Sequence, residues 1–266
     1  MSLQDIPFHR WDAQRAALII AHPGHELRIY HWLERARPLV LVLTDGSGHT
    51  NHSRLGSTTA VLEKAGAVAG SIYGRVSDQE LYRAILSRDA DLFIALVEEI
   101  AQILRREGTE YVVGDAVEGA NPGHDVCRLL LNAALSRVEQ AHDRRPGNFE
   151  FPLEGPPYDG RSEEHPDAIL LHLDDEAYHR KLAAAQFYPE IAADLARTLS
   201  IHDRELFRIE CLRPVHYGLE IDHCFEHPPL YETYGEKQVA AGLYRDVIRF
   251  REHLVPLSER LREAQK

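Results

Sequence analysis

The sequence predicts an α/β protein in which a doubly wound, mostly parallel sheet is flanked by helices. Short apolar runs alternate with amphipathic stretches along most of the 266-residue chain. The segment Leu39–Thr44 is almost continuously apolar, as a parallel strand covered on both faces must be. Repeated strand-then-helix order requires right-handed crossover connections, and these produce this architecture.

Each predicted strand is a short segment of apolar or β-branched residues, and each predicted helix repeats apolar residues at helical spacing. The predicted strands are residues 16–21, 39–44, 71–73, 109–113, 168–173 and 205–212. The predicted helices are residues 25–35, 53–65, 78–86, 92–104, 126–138, 176–199 and a long C-terminal helix from about residue 236. Strands and helices alternate through most of this order, which favours one sheet.

Two regions stand apart from the alternation. Residues 143–166 contain five prolines and many acidic residues. Since long loops in compact domains are usually functional or disordered, we expect this segment to be a lid loop. Residues 214–266 are predicted to be a C-terminal extension packed on the α/β domain of residues 1–213. Its long helix could cap the sheet or join two copies of the chain as a homo-oligomer.

Composition restricts the class of partner. The formal net charge of −12 at pH 7 argues against nucleic-acid binding, which needs a basic face. The three cysteines have no CxxC spacing, so they indicate neither a disulfide framework nor a thiolate zinc site. The polar N-terminus is unlike a signal peptide, and no apolar run approaches the roughly 18 residues of a membrane span. We therefore expect a soluble, cytoplasmic protein that acts on small molecules, without membrane contact.

Histidines follow two of the predicted strands. His22 and His25 lie in a turn after residues 16–21, and His124 follows residues 109–113. Ligands of open α/β sheets bind outside the carboxyl ends of the strands. Three imidazoles there could hold one metal ion, as in catalytic zinc sites with an open position for water. Alternatively, His25 and His124 are polar residues at helix starts, and the adjacent Pro-Gly pairs only form turns.

A family resemblance favours the metal site. The segment Ala21-His22-Pro23-Gly24-His25-Glu26 resembles the Ala-His-Pro-Asp-Asp-Glu signature of the PIG-L/LmbE-like zinc N-deacetylases. Over roughly residues 15–213 other segments agree in order: Leu41 to Gly46, Arg54, Asn121-Pro122-Gly123-His124, Lys181 with Ala184 to Gln186, and Glu205-Leu206-Phe207. The resemblance implies a Rossmann-like fold, bound zinc and removal of acetyl groups from amino sugars and related conjugates.

The resemblance assigns residues position by position. It implies that His22 and His124 are metal ligands, and that Arg54 and the late-helix Lys181 contact substrate. His25 stands where the family has an aspartate ligand, so it is a chemically plausible replacement. For Arg54 the alternative is a surface ion pair.

Two of the family's proton-handling residues are missing. Gly24 replaces the aspartate that acts as general base, and Asn121 replaces the assisting histidine. Glu26 and Asp125 are candidate substitute bases, although each could instead be a helix-start acid that interacts with the helix dipole. The amide of Asn121 cannot supply a proton, but it could donate a hydrogen bond to an oxyanion.

Three functions are compatible with this pattern. The first is a hydrolase that uses zinc or another divalent metal to remove an acyl group from an N-acyl sugar or related small glycoconjugate. The second is a non-catalytic PIG-L-like protein with a binding or regulatory role, which the missing base and histidine favour. The third is a metalloenzyme with different chemistry, because three neutral histidines also accept iron or copper.

Overall fold

The computed structural model describes residues 14–48, 50–142, 145–157 and 167–265. Its strands are β1 Ala16–Ile20, β2 Leu39–Thr44, β3 Val68–Val76, β4 Tyr111–Asp115, β5 Gly147–Phe151, β6 Ile169–His172 and β7 Ile209–Pro214. Its α-helices are α1 Tyr30–Ala36, α2 Leu55–Ala65, α3 Asp78–Ser87, α4 Ala90–Arg106, α5 Pro122–His142, α6 Asp175–Gln186, α7 Ala192–Ile201, α8 Leu230–Ala240 and α9 Val255–Glu263. Within these described ranges, no helix is long and apolar enough to cross a membrane.

The strands form one seven-stranded sheet in the order β3-β2-β1-β4-β5-β7-β6. Strands β1 to β5 pair in parallel, while β7 runs antiparallel to both β5 and β6. This confirms the predicted fold class. Because the chain moves from β1 toward β3 on one side and from β4 toward β5 on the other, the topological switch point lies between β1 and β4. Ligand crevices of doubly wound folds open at this point.

The two faces of the sheet bury separate apolar cores, and β1 contributes to both. Ala17 and Ile19 pack with residues of α3, α4 and α5 on one face. Leu18 and Ile20 pack with residues of α1 and α2 on the other. All five residues of β1 are buried, which explains why its sequence is continuously apolar rather than alternating.

The predicted lid loop is partly a strand. Within residues 143–166, β5 occupies the position between β4 and β7. Its residues Asn148 to Phe151 are buried, but Pro146 before it, Gly147 at its start and Pro152 after it gave the segment the composition of a loop. Residues 143–144 and 158–166 of the predicted lid lie outside the described residues. The lid itself stays a prediction.

Two predicted long helices are broken. Residues 176–199 divide into α6 and α7, separated by a short turn at Pro189–Ile191. The C-terminal helix divides into α8 and α9, which removes the single long helix on which the expectation of a homo-oligomer rested. Gly242 takes a positive φ of 71° just after α8. The Glu232 carboxylate then accepts the Phe250 N–H at 2.9 Å, which turns the chain back toward α8.

The C-terminal extension shares the core of the α/β domain. Leu254, Leu257 and Leu261 are buried in the same cluster as residues of α4 and α5. Leu219 and Ile221, from the segment that follows β7, join them. Apolar contacts therefore connect residues of the 214–265 segment to one face of the sheet.

Two leucines of this extension provide a matched test. Leu254→Ala should lower the free energy of unfolding by about 2–5 kcal/mol, because a fully buried side chain leaves a cavity. Leu243→Ala should change it by less than about 0.5 kcal/mol, since Leu243 is 71% exposed. Urea unfolding followed by circular dichroism should show one transition for both variants. A separate early transition would mean that the extension unfolds independently of the sheet.

Candidate metal centre

The structure brings the three predicted ligand residues together. His22 and His25 lie in the turn after β1, and His124 lies in the first turn of α5, which follows β4. The ring centroids are 5.4 Å apart for His22 and His25, 5.2 Å for His22 and His124, and 4.5 Å for His25 and His124. The cluster lies at the carboxyl ends of the two strands that flank the switch point.

Two glycines allow this approach. Gly24, between the first two histidines, has φ 105° and ψ −19°, a conformation that side-chain-bearing residues rarely adopt. A Cβ on Gly123 would stand 3.0 Å from Nε2 of His22 and 3.1 Å from Oδ1 of Asn121. The two glycines therefore do more than form turns, because Gly24 supplies a backbone conformation with positive φ and Gly123 leaves room for the His22 ring.

His22 is held by one of its ring nitrogens. Its Nδ1 lies 2.8 Å from Oγ1 of Thr44 and 2.9 Å from Oδ1 of Asp78. Because the Thr44 hydroxyl donates to the Ala21 carbonyl, its oxygen accepts from the ring, which places the proton on Nδ1. Nε2 of His22 is buried and has no hydrogen-bond partner among the described residues. A buried nitrogen with a free electron pair is what a metal ligand provides.

Asp78, at the start of α3, is one of three site residues that sequence reasoning missed; the others are Asp115 and Tyr82. Burial acts to raise its pKa, but hydrogen bonds from His22 and from the Gly48 N–H outweigh burial and lower the pKa. The carboxylate therefore stays charged beside His22. Its position just after a strand, at the edge where the histidines lie, is the signal that could have identified it.

Asp115, the last residue of β4, is the second missed residue. Its carboxylate oxygens lie 3.0 and 3.1 Å from Nδ1 of His25. Oδ2 also accepts the Ala21 N–H at 2.7 Å. Two of the three histidines thus have a buried carboxylate on Nδ1, an arrangement typical of imidazoles that bind metal through the other nitrogen.

Burial disfavours the charged form of two of the site histidines, His25 and His124. Burial lowers the pKa of His25, although Asp115 opposes that shift. Burial and the neighbouring rings of His25 and His22 lower the pKa of His124 well below its ordinary value. Metal ligation requires neutral imidazole, so both shifts favour it.

The histidines fit a divalent ion in donor type and spacing. Imidazoles bound tetrahedrally to zinc through Zn–N bonds of about 2.0–2.1 Å have ring centroids about 5 Å apart, close to the observed distances. Nevertheless, no set of three or more His, Cys, Asp or Glu side chains in the described ranges has the arrangement of a formed metal site. The spacing of the rings suits a metal, but the described side chains are not arranged to hold one in this structure.

Asn121 lies beside the cluster with a fixed amide orientation. Its Oδ1 accepts the Gly123 N–H at 2.7 Å and the Tyr82 hydroxyl at 3.0 Å. Because both donors approach the oxygen, Nδ2 is the end of the amide that is left to donate elsewhere. Tyr82 was not identified from the sequence, since an aromatic residue in a helix is usually a core residue.

Arg54 lies near the histidines, at the start of α2. Its Nε donates to the Gly46 carbonyl at 2.7 Å. Its positive charge contributes to lowering the pKa of both His25 and His124, which indicates that the guanidinium is close to their rings. The predicted contact with substrate stays a prediction.

The two candidate bases are buried and hold turns. The Glu26 carboxylate accepts the Gly24 N–H at 2.8 Å and the Thr58 hydroxyl at 2.9 Å. Asp125 accepts the N–H groups of Glu118 and Gly119 at 3.2 and 3.3 Å. Burial raises the pKa of each acid to about 7, against these hydrogen bonds. The contacts give both acids a structural role, and catalysis by either stays a prediction.

Lys181 belongs to a buried ion pair. Its Nζ donates to Oε1 of Glu210 at 2.9 Å and to the Arg28 carbonyl at 2.7 Å. Glu210 also accepts the N–H groups of His31 and Trp32. Burial lowers the pKa of Lys181, although Glu210 opposes the shift. These contacts give Lys181 a structural role, and its contact with substrate stays a prediction.

Comparison with known proteins gives a likeness of fold. No family model matches the sequence, and no curated protein matches it. The zinc-inhibited form of teicoplanin deacetylase Orf2 has a similar structure, with a TM-score of 0.51 and 14% identity over 75% of this chain and 97% of that chain. This chain has a deacetylase-like fold. The A40926 pseudoaglycone deacetylase Dbv21 aligns with a TM-score of 0.48 and 17% identity over 77% of this chain and 98% of its own.

The role of Lys181 can be tested by its removal. Lys181→Ala should lower the free energy of unfolding by roughly 3–5 kcal/mol, because it leaves the buried Glu210 carboxylate without its cation. The exposed Lys237 is a control, and Lys237→Ala should change stability by less than about 0.5 kcal/mol. Denaturant titration measures both variants. Unchanged stability in Lys181→Ala would contradict the structural role and favour the predicted contact of Lys181 with substrate.

Proposed function

We propose that this protein is a metal-dependent hydrolase related to the PIG-L/LmbE-like N-deacetylases, which removes an acyl group from an amino sugar or related small conjugate. The observation that carries the proposal is the convergence of three imidazoles at the switch point, two of them backed by buried carboxylates. The order of the sequence motifs and the deacetylase-like fold support it.

In this proposal His22, His25 and His124 hold zinc or another divalent ion. Such an ion, when bound, polarises a carbonyl oxygen and lowers the pKa of water. Burial lowers the pKa of His25 and of His124, and Asp78 and Asp115 hold His22 and His25 in place. The carboxylates and the Thr44 oxygen keep protons on the Nδ1 atoms, so the Nε2 atoms remain as donors of electron pairs.

The other residues beside the histidines act on the substrate. Asn121 donates an N–H from its fixed amide to the oxygen of the reacting carbonyl as negative charge develops there. Tyr82 and the Gly123 N–H keep that amide from rotating. Arg54 binds a carboxylate, phosphate or hydroxyl group of the substrate near the rings.

A second candidate is a non-catalytic metal-binding relative. It is favoured because the residues that could act as general base are missing or already accept hydrogen bonds from the protein. Gly24 has no side chain where the family has its general base. Both oxygens of Glu26 accept hydrogen bonds from the protein, and Asp125 binds the N–H groups of the 118–119 turn. General bases contribute about 10²- to 10⁴-fold to such reactions, so a hydrolase with this site would be slow.

Metal content tests the ligand set. We expect about one zinc ion per chain after loading and dialysis, and we expect His124→Ala to lose it, because one of three imidazoles is removed. His223→Ala is the matched control, since its side chain is 70% exposed, and should keep the ion. Elemental analysis measures the metal, and circular dichroism checks folding. Stoichiometric zinc in folded His124→Ala would disprove this ligand set.

Turnover separates the two candidates. Zinc-loaded protein should release acetate from a panel of N-acetyl amino sugars and their conjugates. Asn121→Ala should lower kcat by roughly 10²- to 10³-fold, because a donor to the developing oxyanion is lost. Tyr82→Phe should lower it less, since the Gly123 N–H still orients the amide. A protein that binds zinc but releases no acetate from any compound supports the non-catalytic candidate.

A further inference from the structure

We infer that Asp115 is a positioning residue that keeps the proton of His25 on Nδ1, so that the two residues together replace the aspartate ligand lost from the motif. The inference rests on the proposed metal site for its functional meaning. Its first part, the choice of tautomer, is a property of the metal-free protein. No sequence motif identified Asp115, and the family resemblance gives it no role.

The hydrogen bonds of Asp115 leave little freedom at this position. The Asp115 side chain is fully buried, and the His25 side chain is only 14% exposed. The backbone N–H of Ala21 donates to Oδ2 at 2.7 Å, and Nδ1 of His25 is within hydrogen-bond distance of both oxygens. An ionised carboxylate only accepts hydrogen bonds, so Nδ1 must carry the proton.

The tautomer decides which nitrogen can bind a metal. The hydrogen bond made by one ring nitrogen of a histidine fixes the protonation of the other. With the proton on Nδ1, Nε2 of His25 carries the free electron pair. Asp115 therefore converts the ring into a ligand that acts through Nε2, in the same sense as Asp78 and Thr44 do for His22.

Asp115 also restores charge. An aspartate ligand would bring one negative charge to the metal, whereas the imidazole of His25 brings none. Asp115 places that charge directly behind the ring, and a carboxylate in this position raises the basicity of the imidazole. His25 and Asp115 supply a donor and a charge from two strands, where the family motif supplies both from one side chain.

The two carboxylates are not equivalent. His22 has a second acceptor for its Nδ1 proton, the Thr44 oxygen at 2.8 Å. For His25, both of the Nδ1 contacts formed within the described residues are to Asp115. Asp115→Asn should therefore affect its histidine more than Asp78→Asn affects His22. The asparagine can still accept the Ala21 N–H, but its amide NH₂ would face Nδ1 and favour the proton on Nε2.

Nitrogen-15 NMR of the metal-free protein at pH 8 tests the tautomer. His25→Gln identifies the His25 signals in the wild-type spectrum. We expect Nδ1 to be protonated in the wild type and Nε2 in Asp115→Asn. Asp222→Asn is the matched control, because Asp222 pairs with the exposed His223 at 3.5 Å, and should leave the His25 signals unchanged. A wild-type His25 with its proton on Nε2 overturns the inference without any need for a folded variant.

Zinc affinity, measured by competition with a chelating indicator, tests the consequence. Asp115→Asn should bind Zn²⁺ about 10- to 100-fold more weakly than the wild type, whereas Asp222→Asn should bind it equally well. If the wild type binds zinc and a folded Asp115→Asn binds it as tightly, the inference is overturned and the proposed function stands. If the wild type binds no zinc, the proposed function fails, and the NMR result alone decides the tautomer.

Discussion

The parallel pairing of β1 with β4 is the constraint on which the rest of the site depends. Ile19 lies opposite Gly114 in this register, so the two strands end side by side and their turns meet. The Asp115 carboxylate then joins the ends, because it accepts the Ala21 N–H and contacts His25. A shift of this register would move the turn after β1 relative to the start of α5, and would so separate His124 from the other two histidines.

The site is rigid because buried acids hold its turns. Glu26 joins the first turn to α2 through Thr58, and Asp125 fixes residues 118–119. Burial raises the pKa of both acids to about 7, which means that their ionised forms are unfavourable inside the protein. The hydrogen bonds that they accept offset part of this cost and at the same time keep the acids away from other chemistry. Positioning the histidines and providing a general base are thus competing uses of the same side chains.

The sequence predicted the parts of the site that follow from the direction of the strands. It did not predict the contacts that depend on which side chains are buried together. Parallel strands that end together were enough to predict that His22, His25 and His124 would lie close to one another. Asp115 was missed because its partner, His25, is 90 residues away in sequence. Lys181 matched the position of a family residue, but the sequence does not show that Glu210 is buried beside it. Strand β5 was hidden by the prolines and glycines around it, and the break after α8 depends on where the Glu232 carboxylate lies.

The departures from the family motif support one another in the fold. An aspartate at position 24, which the PIG-L/LmbE-like motif carries, would need a φ near 105° and would strain the turn that carries both histidines. His25 is matched by Asp115 on a neighbouring strand, and Asn121 is matched by Tyr82 on α3. Random decay of a catalytic site would leave polar groups without partners, whereas each replacement here has one. Under the proposed function, this pattern describes a site built around three imidazoles, in which two of the proposed ligands have buried carboxylate partners and position 24 carries no base.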